Sequence, residues 1–599
     1  MTDTRETTTP SAPGLTLVLG VHNHQPAGNF DGVFARAAAE CYRPVVERVA
    51  AHPGVRMTFH FSGPLIEWLA VRERSLLDDV RALVERGQVE VLGSGIGEPV
   101  LPMLPPRDLA RQLGAMADLC GEHLGAIPRG IWLTERVWEP SLPDALAPLG
   151  VEYTFVDDHH FHAAGFAPGT VSGCYAAARH GSVLRVFPIS ERLRYLIPFG
   201  PLAEVFDELE AFARRGAREG GRVLACLDDG EKLGLWPGTA RWVFEEGWLD
   251  GFLGGLEERA ERIATALPGE VADARAPRGR AALPACSYRE MTEWALPTAS
   301  IRRRERLAGL LDDDARELLA GGFWDQFAVK YEEVARLRGR MLLTSRRLAD
   351  CEDRAPEEDG PARALERARR CLQRAQCNDA YWHGLFGGLY LPFLRAAVRR
   401  ELIDADAALD EAEGDGRPDR LEWIDVDGDG EDELVCANRD QLAVLRARDG
   451  GCLYALEDRI ARLAVTDVLT RREEAYHDRV GEAAAPDGDG DAPASIHERA
   501  GDTEAGLEKL LIYDPHTRLA GRLSAFLGPP EATALATLVQ RDGGALAGAR
   551  FAVERVDESP LERVVAMRAR AVRLGGATAD VVKRWRLPRD GFGFRLEVR

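Results

Sequence analysis

From Leu15 to about Pro297, short apolar runs alternate with amphipathic stretches. Leu15–Val21 (LTLVLGV), Val55–Phe61, Val89–Leu92, Gly130–Leu133, Tyr153–Val156 and Arg222–Leu227 are short and almost continuously apolar, the pattern of strands buried on both faces. Between them Ser75–Glu85, Pro106–Leu124 and Pro201–Arg214 read as helices. Strand–helix alternation of this kind predicts a parallel sheet flanked by helices. Polar and aromatic residues gather just after the strands, which favours a closed barrel with its working face at the strand ends.

Residues 14–299 therefore form one expected domain, a barrel. From Ser300 to about Leu402 the pattern turns helical, with Leu365, Ala368, Leu372 and Ala375 on one face, so residues 300–403 are expected to be a helical domain. Asp404–Pro418 reads as an acidic, Gly-containing linker. Beyond it Leu421–Ile424, Glu433–Ala437, Gln441–Arg446, Phe551–Arg555 and Val581–Leu587 are short strands between Gly/Asp turns, a β-sandwich pattern over residues 419–599. Ala483–Gly506, rich in Ala, Gly, Asp and Pro, is expected to be a disordered loop. Phe592–Arg599 reads as a strand that stops abruptly and leaves the sandwich incomplete.

Composition narrows the function. The net charge of −21 argues against general affinity for nucleic acid or anionic membranes and suits a neutral substrate such as a sugar polymer. No segment approaches the roughly 18–20 uninterrupted apolar residues that span a bilayer. Met1–Pro13 lacks the features of a secretory signal. Ten cysteines without a C-x-x-C pair read as reduced thiols, so a cytoplasmic location is expected.

Three constellations carry candidate chemistry. His22-Asn23-His24-Gln25-Pro26 follows the first strand, where side chains two positions apart point the same way. His22 and His24 suit metal ligation or hydrogen bonds to substrate hydroxyls. In Trp132-Leu133-Thr134-Glu135-Arg136-Val137-Trp138, a carboxylate at a strand end has a guanidinium beside it, which favours the charged form that a nucleophile needs, and Trp faces suit sugar rings. In Asp228-Asp229-Gly230-Glu231, crowded carboxylates push at least one pKa up, as a general acid requires. A Ca²⁺ or Mg²⁺ loop is the competing use of such a cluster.

Together these motifs resemble glycoside hydrolase family 57, in particular its α-amylase/4-α-glucanotransferase branch. The resemblance extends to Gly28-Asn29-Phe30, Glu98-Pro99, Val156-Asp157-Asp158-His159-His160-Phe161, Leu193-Arg194-Tyr195-Leu196-Ile197-Pro198-Phe199, Met291-Thr292-Glu293-Trp294-Ala295-Leu296-Pro297 and Gln376-Cys377-Asn378-Asp379-Ala380-Tyr381-Trp382-His383-Gly384. Ile96-Gly97 departs from it, since family members often carry aromatic residues before this Glu-Pro pair. The resemblance implies a (β/α)7 barrel, an added helical domain that completes the cleft and a C-terminal β-sandwich. It also implies a retaining enzyme acting on α-1,4-glucans or maltooligosaccharides, with Glu135 as nucleophile and Asp229 as acid/base. His22, His24 and Asp158 would hold hydroxyls of the sugar, and Glu98 and Glu293 would assist. Trp132, Tyr195, Trp236, Trp294 and Trp382 are candidates for stacking on sugar rings or for the core. The acceptor is a glucan hydroxyl in a transferase and water in an amylase. No cofactor is expected, and a homodimer is compatible with the resemblance.

One rival reading is a metal-dependent hydrolase that uses His22 and His24, with His60, His159 or His160 as further ligands. A glucan-binding protein without activity is another, disfavoured because both carboxylates are present. Asp425, Asp427 and Asp429 begin like a Ca²⁺ loop, but Cys436 stands where an EF-hand places its bidentate Glu, so a polar turn competes with a structural Ca²⁺ site.

Overall fold

The computed structural model describes residues 13–219, 221–354, 359–414, 419–480, 506–526, 529, 531–536, 545–574 and 577–599. Contacts divide the chain into two units, the first built around residues 13–296 and 303–324, the second around 297–302 and 325–599 apart from a short piece.

The first unit holds strands β1 (Leu15–Asn23), β2 (Met57–Phe61), β3 (Val89–Leu92), β4 (Gly130–Ile131), β5 (Tyr153–Asp157), β6 (Tyr175–Arg179), β7 (Ser182–Ile189), β8 (Arg222–Asp229) and β9 (Ile263–Thr265). The order β3-β2-β1-β8-β7-β5-β4 is parallel throughout. Gly93 closes the ring between β3 and β4: its N–H donates to Gly130 O at 3.0 Å, and its carbonyl accepts from Trp132 N at 2.8 Å. The result is the expected seven-stranded parallel barrel. β6 adds an antiparallel hairpin to β7, and β9 pairs with the first residues of β1.

Alternation along each strand sorts side chains between two cores. Leu15, Leu17, Leu19 and Val21 of β1 pack outward with the helices, whereas Val18 joins Phe155, Phe187, Ile189, Val223, Ala225 and Leu227 inside the barrel. Helix Pro106–Leu124 shows why the sequence was readable here. Pro106 opens it without losing a needed N–H, Gly125 at φ 73° ends it, and Leu109, Leu113, Met116, Cys120 and Leu124 are buried.

β7 escaped the pattern because Arg185 and Pro188 interrupt its apolar run and Val183 is exposed. The expected strand Gly130–Leu133 stops at Ile131, because Thr134–Arg136 turns with Glu135 and Arg136 at φ 52° and 44°.

In the second unit, helices Glu332–Arg354, Asp359–Ala375 and Pro392–Glu413 accompany two antiparallel sheets. The first runs β10 (Arg420–Ile424), β11 (Glu433–Ala437), β12 (Gln441–Arg446), β13 (Cys452–Asp458) and β14 (Leu463–Ala464); the second runs β15 (Ala552–Glu558), β16 (Glu562–Leu574), β17 (Ala577–Pro588) and β18 (Arg595–Val598). Leu434, Cys436, Leu445 and Leu453 pack against Val565, Met567, Val581 and Trp585, so the two sheets share one core as a sandwich. The expected helical face of Leu365, Ala368, Leu372 and Ala375 is buried.

The linker expected at Asp404–Pro418 is corrected over its first part: helix Pro392–Glu413 runs through it. Ala405, Ala407 and Ala408 favour the helix. Its acids are paired rather than solvated, with Asp406 accepting from buried Arg340 at 2.7 Å and Asp410 from Arg347 at 2.5 Å. Residues 415–418, and the loop expected at 483–506 except Gly506, lie outside the described residues.

The Asp-rich turn is built around backbone donors and arginines. Asp425 accepts the N–H groups of Gly428, Asp429 and Gly430. Asp427 accepts from Tyr454 Oη at 2.5 Å and pairs with buried Arg446 at 3.0 Å. Asp429 pairs with Arg446 and Arg448 and has its carboxyl beside that of Asp427. The ligand oxygens that do converge, within 4.8 Å, are those of Asp425, Asp427 and Glu433.

Among the described residues no helix is long and apolar enough to cross a membrane.

Candidate active site

The inward rows of the barrel turn polar at the carboxyl ends of the strands. On β1 the parity that points Val18 inward also points His22 inward; on β8 Asp229 continues the row of Val223, Ala225 and Leu227. His22 is paired in register with Asp229 on one side and with His60 of β2 on the other. Three strands thus present His60, His22 and Asp229 in one layer. Asp157 ends β5 with the inward parity of Tyr153 and Phe155.

Glu135 enters from the turn after β4. Its left-handed backbone, and those of Arg136 (φ 44°) and Glu98 (φ 54°), are strained for residues with a Cβ, a feature that clusters at functional sites. The turn is held from below and above. Thr134 Oγ1 donates to Glu98 Oε1 at 2.7 Å, and Ser287 Oγ donates to the Glu135 carbonyl at 2.5 Å. Tyr288 Oη donates to Glu135 Oε2 at 2.8 Å, which orients the carboxylate.

Beneath the carboxylates lies a network of alternating charge. Asp157 pairs with Arg136 at 3.0 Å and Arg194 at 2.5 Å, and Asp228 with Arg194 at 3.2 Å and Lys232 at 2.8 Å. Burial alone would raise the Asp228 carboxyl, but Arg194, then Lys232 and Arg136, hold it well below the usual carboxylate range. Asp229 behaves oppositely. Burial, reinforced by the negative charge of Asp228, raises its carboxyl against the pull of Arg136, Arg194 and Lys232. Adjacent aspartates are driven apart, one kept charged and one kept able to hold a proton.

Gly230 lets the β8 turn lie against β1, since a Cβ there would come within 2.0 Å of Asn23 Oδ1. Glu231 fastens the same junction: it accepts from His24 N at 2.8 Å and from Tyr42 Oη at 2.5 Å. Burial, then Asp229, pushes Glu231 up to about 7.

Known proteins resemble this chain along most of its length. A model described as glycosyl hydrolase family 57 matches residues 18–284. Models of the α-amylase/4-α-glucanotransferase middle and C-terminal domains match 322–409 and 425–594. The 4-α-glucanotransferase of Thermococcus kodakarensis is 38% identical over 509 residues, 84% of this chain and 74% of that protein. The chain belongs to glycosyl hydrolase family 57. Its relatives include α-amylase 1 of Dictyoglomus thermophilum, 37% identical over 86% of this chain and 72% of that one. The crystal structure of 4-α-glucanotransferase from Thermococcus litoralis superposes with a TM-score of 0.82 at 32% identity, covering 98% of this chain and 84% of that one.

The remaining expected site residues of this family 57 chain are distributed as follows. His24 lies parallel to His22, ring centroids 5.7 Å apart. Asp158 opens the helix after β5; burial, then Glu191, raises its carboxyl to about 7, and its Oδ2 accepts from Glu191 N at 3.3 Å. Tyr195 bonds Glu290 through its hydroxyl and remains partly exposed. Trp236 stacks on Phe199 at 5.7 Å, and Trp294 meets Tyr288 edge-on at 6.2 Å. Glu293 pairs with Arg304. Trp382 belongs to the second unit, where its indole N–H donates to Asn378 Oδ1 at 2.8 Å.

Of the two readings left open for Trp132, its burial favours the core. Only 1% exposed, it packs in the barrel core with its ring stacked on His22 at 4.7 Å, so it forms a wall and not an open platform for a sugar. Sequence reasoning had no direct signal for Tyr288 or Ser287, which arrive from a distant loop, and gave Arg194, on helix Glu191–Leu196, only as part of a motif. The His60 signal was its inward parity in Met57–Phe61.

Asp228→Asn removes the charge that helps to raise Asp229 and frees Arg194 and Lys232 to lower it further. The proton of Asp229 is then lost at lower pH. The alkaline limb of kcat/KM is therefore expected to move to lower pH in the folded variant; a limb that stays in place or moves up would contradict this coupling.

Proposed function

We propose that this enzyme is a 4-α-glucanotransferase that moves segments of α-1,4-glucan by retaining double displacement. The observation that carries the reading is the pairing of Glu135 and Asp229. Each stands at the carboxyl end of a strand of one barrel; the first is oriented by Tyr288, the second has its carboxyl raised by burial and Asp228. The Glu135 carboxylate attacks the anomeric carbon, the bond from that carbon to the leaving glycosidic oxygen breaks, and Asp229 gives its proton to that oxygen. The 4-hydroxyl of an acceptor glucan then attacks the same carbon, passes its proton to Asp229 and releases Glu135. Two inversions give net retention.

His22, His24 and Asp158 are read as partners of the sugar hydroxyls. Tyr195, Trp236 and Trp294 are the aromatic candidates for its rings. Relatives named 4-α-glucanotransferase and α-amylase are similar to nearly the same degree, so water as acceptor is the second reading. Maltodextrins of the kind cut from starch or glycogen are the proposed substrates.

Incubation with maltotriose separates the two acceptors. The expected products are glucose and a ladder of longer oligosaccharides, unchanged after exhaustive chelation. Maltose and glucose without the ladder would mean hydrolysis. Loss on chelation with recovery on adding a divalent metal would instead support a metal site at His22, His60 and Glu98, whose candidate ligand atoms lie within 4.8 Å of one another.

A further inference from the structure

Behind His22 sits a second buried histidine, and behind that a buried carboxylate. His60 is fully buried and Glu98 is 1% exposed. The two rings meet through their Nδ1 atoms at 2.7 Å, and His60 Nε2 lies 3.6 Å from Glu98 Oε2. Burial, then His24, pushes His60 down to about 3; burial, then His60, holds His22 well below the usual histidine value. At neutral pH each ring therefore carries one proton and one lone pair.

Only one proton fits between two Nδ1 atoms in contact. A carboxylate facing His60 Nε2 favours the proton on that nitrogen, which leaves His60 Nδ1 as an acceptor. His22 must then donate from Nδ1, and its Nε2 is bare. Glu98 meets two hydroxyls: Ser94 Oγ lies 2.9 Å from both Oε2 and the Gly95 carbonyl, and Thr134 Oγ1 donates to Oε1 at 2.7 Å. The second of these ties the chain to the residue that precedes Glu135.

We propose that Glu98 and His60 form a positioning relay that fixes His22 in its Nδ1–H tautomer, so that His22 Nε2 accepts a hydrogen bond from a hydroxyl of the bound sugar. Glu98, expected from sequence to assist the substrate, here acts through His60 and Thr134. The identity of the hydroxyl donor rests on the glucan reading above; the tautomer does not.

The test is ¹⁵N spectroscopy of histidine-labelled, ligand-free protein, with the His22 signals among the 13 histidines assigned by their loss in His22→Gln. The expected wild-type result is a protonated Nδ1 and a bare Nε2 on His22. A protonated Nε2 in wild type overturns the proposal, and this needs no variant to fold except for assignment. In Glu98→Gln the carboxamide donates to His60 Nε2, both rings reverse, and kcat/KM falls on the order of tenfold, mainly through KM, as for one lost hydrogen bond. An unchanged tautomer in that variant removes Glu98 from the relay. His60→Gln can accept from His22 and donate to Glu98, so it retains the tautomer and most activity, whereas His60→Phe loses both. Equal losses in the two His60 variants would mean packing alone and overturn the relay. Because the tautomer is read without substrate, its failure is distinct from a failure of the maltotriose assay.

Discussion

Glu135→Ala is expected to lower turnover of maltooligosaccharides on the order of 10⁴–10⁶-fold, the scale on which removal of a covalent nucleophile acts. The fold should survive. Glu135 is partly exposed and its carboxyl accepts from Tyr288, while the turn around it is held through backbone and neighbours: Ser287 on the Glu135 carbonyl, Glu98 on Thr134. Removing the side chain opens space on the face from which Glu135 attacks. Added azide should enter there and give a glycosyl azide of inverted configuration. A folded Glu135→Ala protein that keeps near-wild-type disproportionation would eliminate Glu135 as the nucleophile.

Asp229→Asn is expected to cost about 10²–10⁴-fold, because a general acid and base is lost while the nucleophile stays. The loss depends on the leaving group. Natural glucans need a proton on the departing oxygen, whereas fluoride departs without one, so the first step on a maltooligosyl fluoride should be nearly preserved. Azide acts here on the opposite side, on the glycosyl-enzyme, and should give product of retained configuration. The alkaline limb of the pH profile should also vanish, since it reports the Asp229 proton. Persistence of that limb in Asp229→Asn would assign the acid role to another group, Glu231 being the nearest candidate with a raised carboxyl.

These contrasts depend on two carboxyls in different surroundings, and sequence revealed the identities more readily than the surroundings. β3, β11, β12 and helix Pro106–Leu124 could be read directly because their apolar periods are unbroken and their ends carry Pro, Gly or Asp. β16 was missed for a physical reason: Ala566, Met567, Arg568, Ala569 and Arg570 are helix formers, and only pairing with β15 and β17 makes them extended. Within the site, Glu135, Asp229, His22 and His24 were legible as strand-end motifs. Their supports were not. Tyr288 reaches the site through a loop whose course no local period encodes, Arg194 from the short helix Glu191–Leu196, and His60 matters only because β1 and β2 pair in the register that sets it beside His22.

Trp132 was open to two readings in sequence, platform or core. An aromatic residue near a carboxylate in sequence suggested a sugar platform, but closing the barrel through Gly93 turns that ring into the core. The acidic stretch at Asp404–Glu413 did mislead. Its charge reads as solvated linker until Arg340 and Arg347 are placed beside it.

The most direct test of double displacement at Glu135 is mass spectrometry of Asp229→Asn after brief exposure to α-maltotriosyl fluoride. Fluoride leaves without acid help, and the missing base slows release, so the covalent intermediate should accumulate. The prediction is a single maltotriosyl adduct on the proteolytic peptide that contains Glu135, absent when Glu135 is also replaced by Ala. An adduct on a different residue, or turnover with inversion and no adduct, would contradict the account.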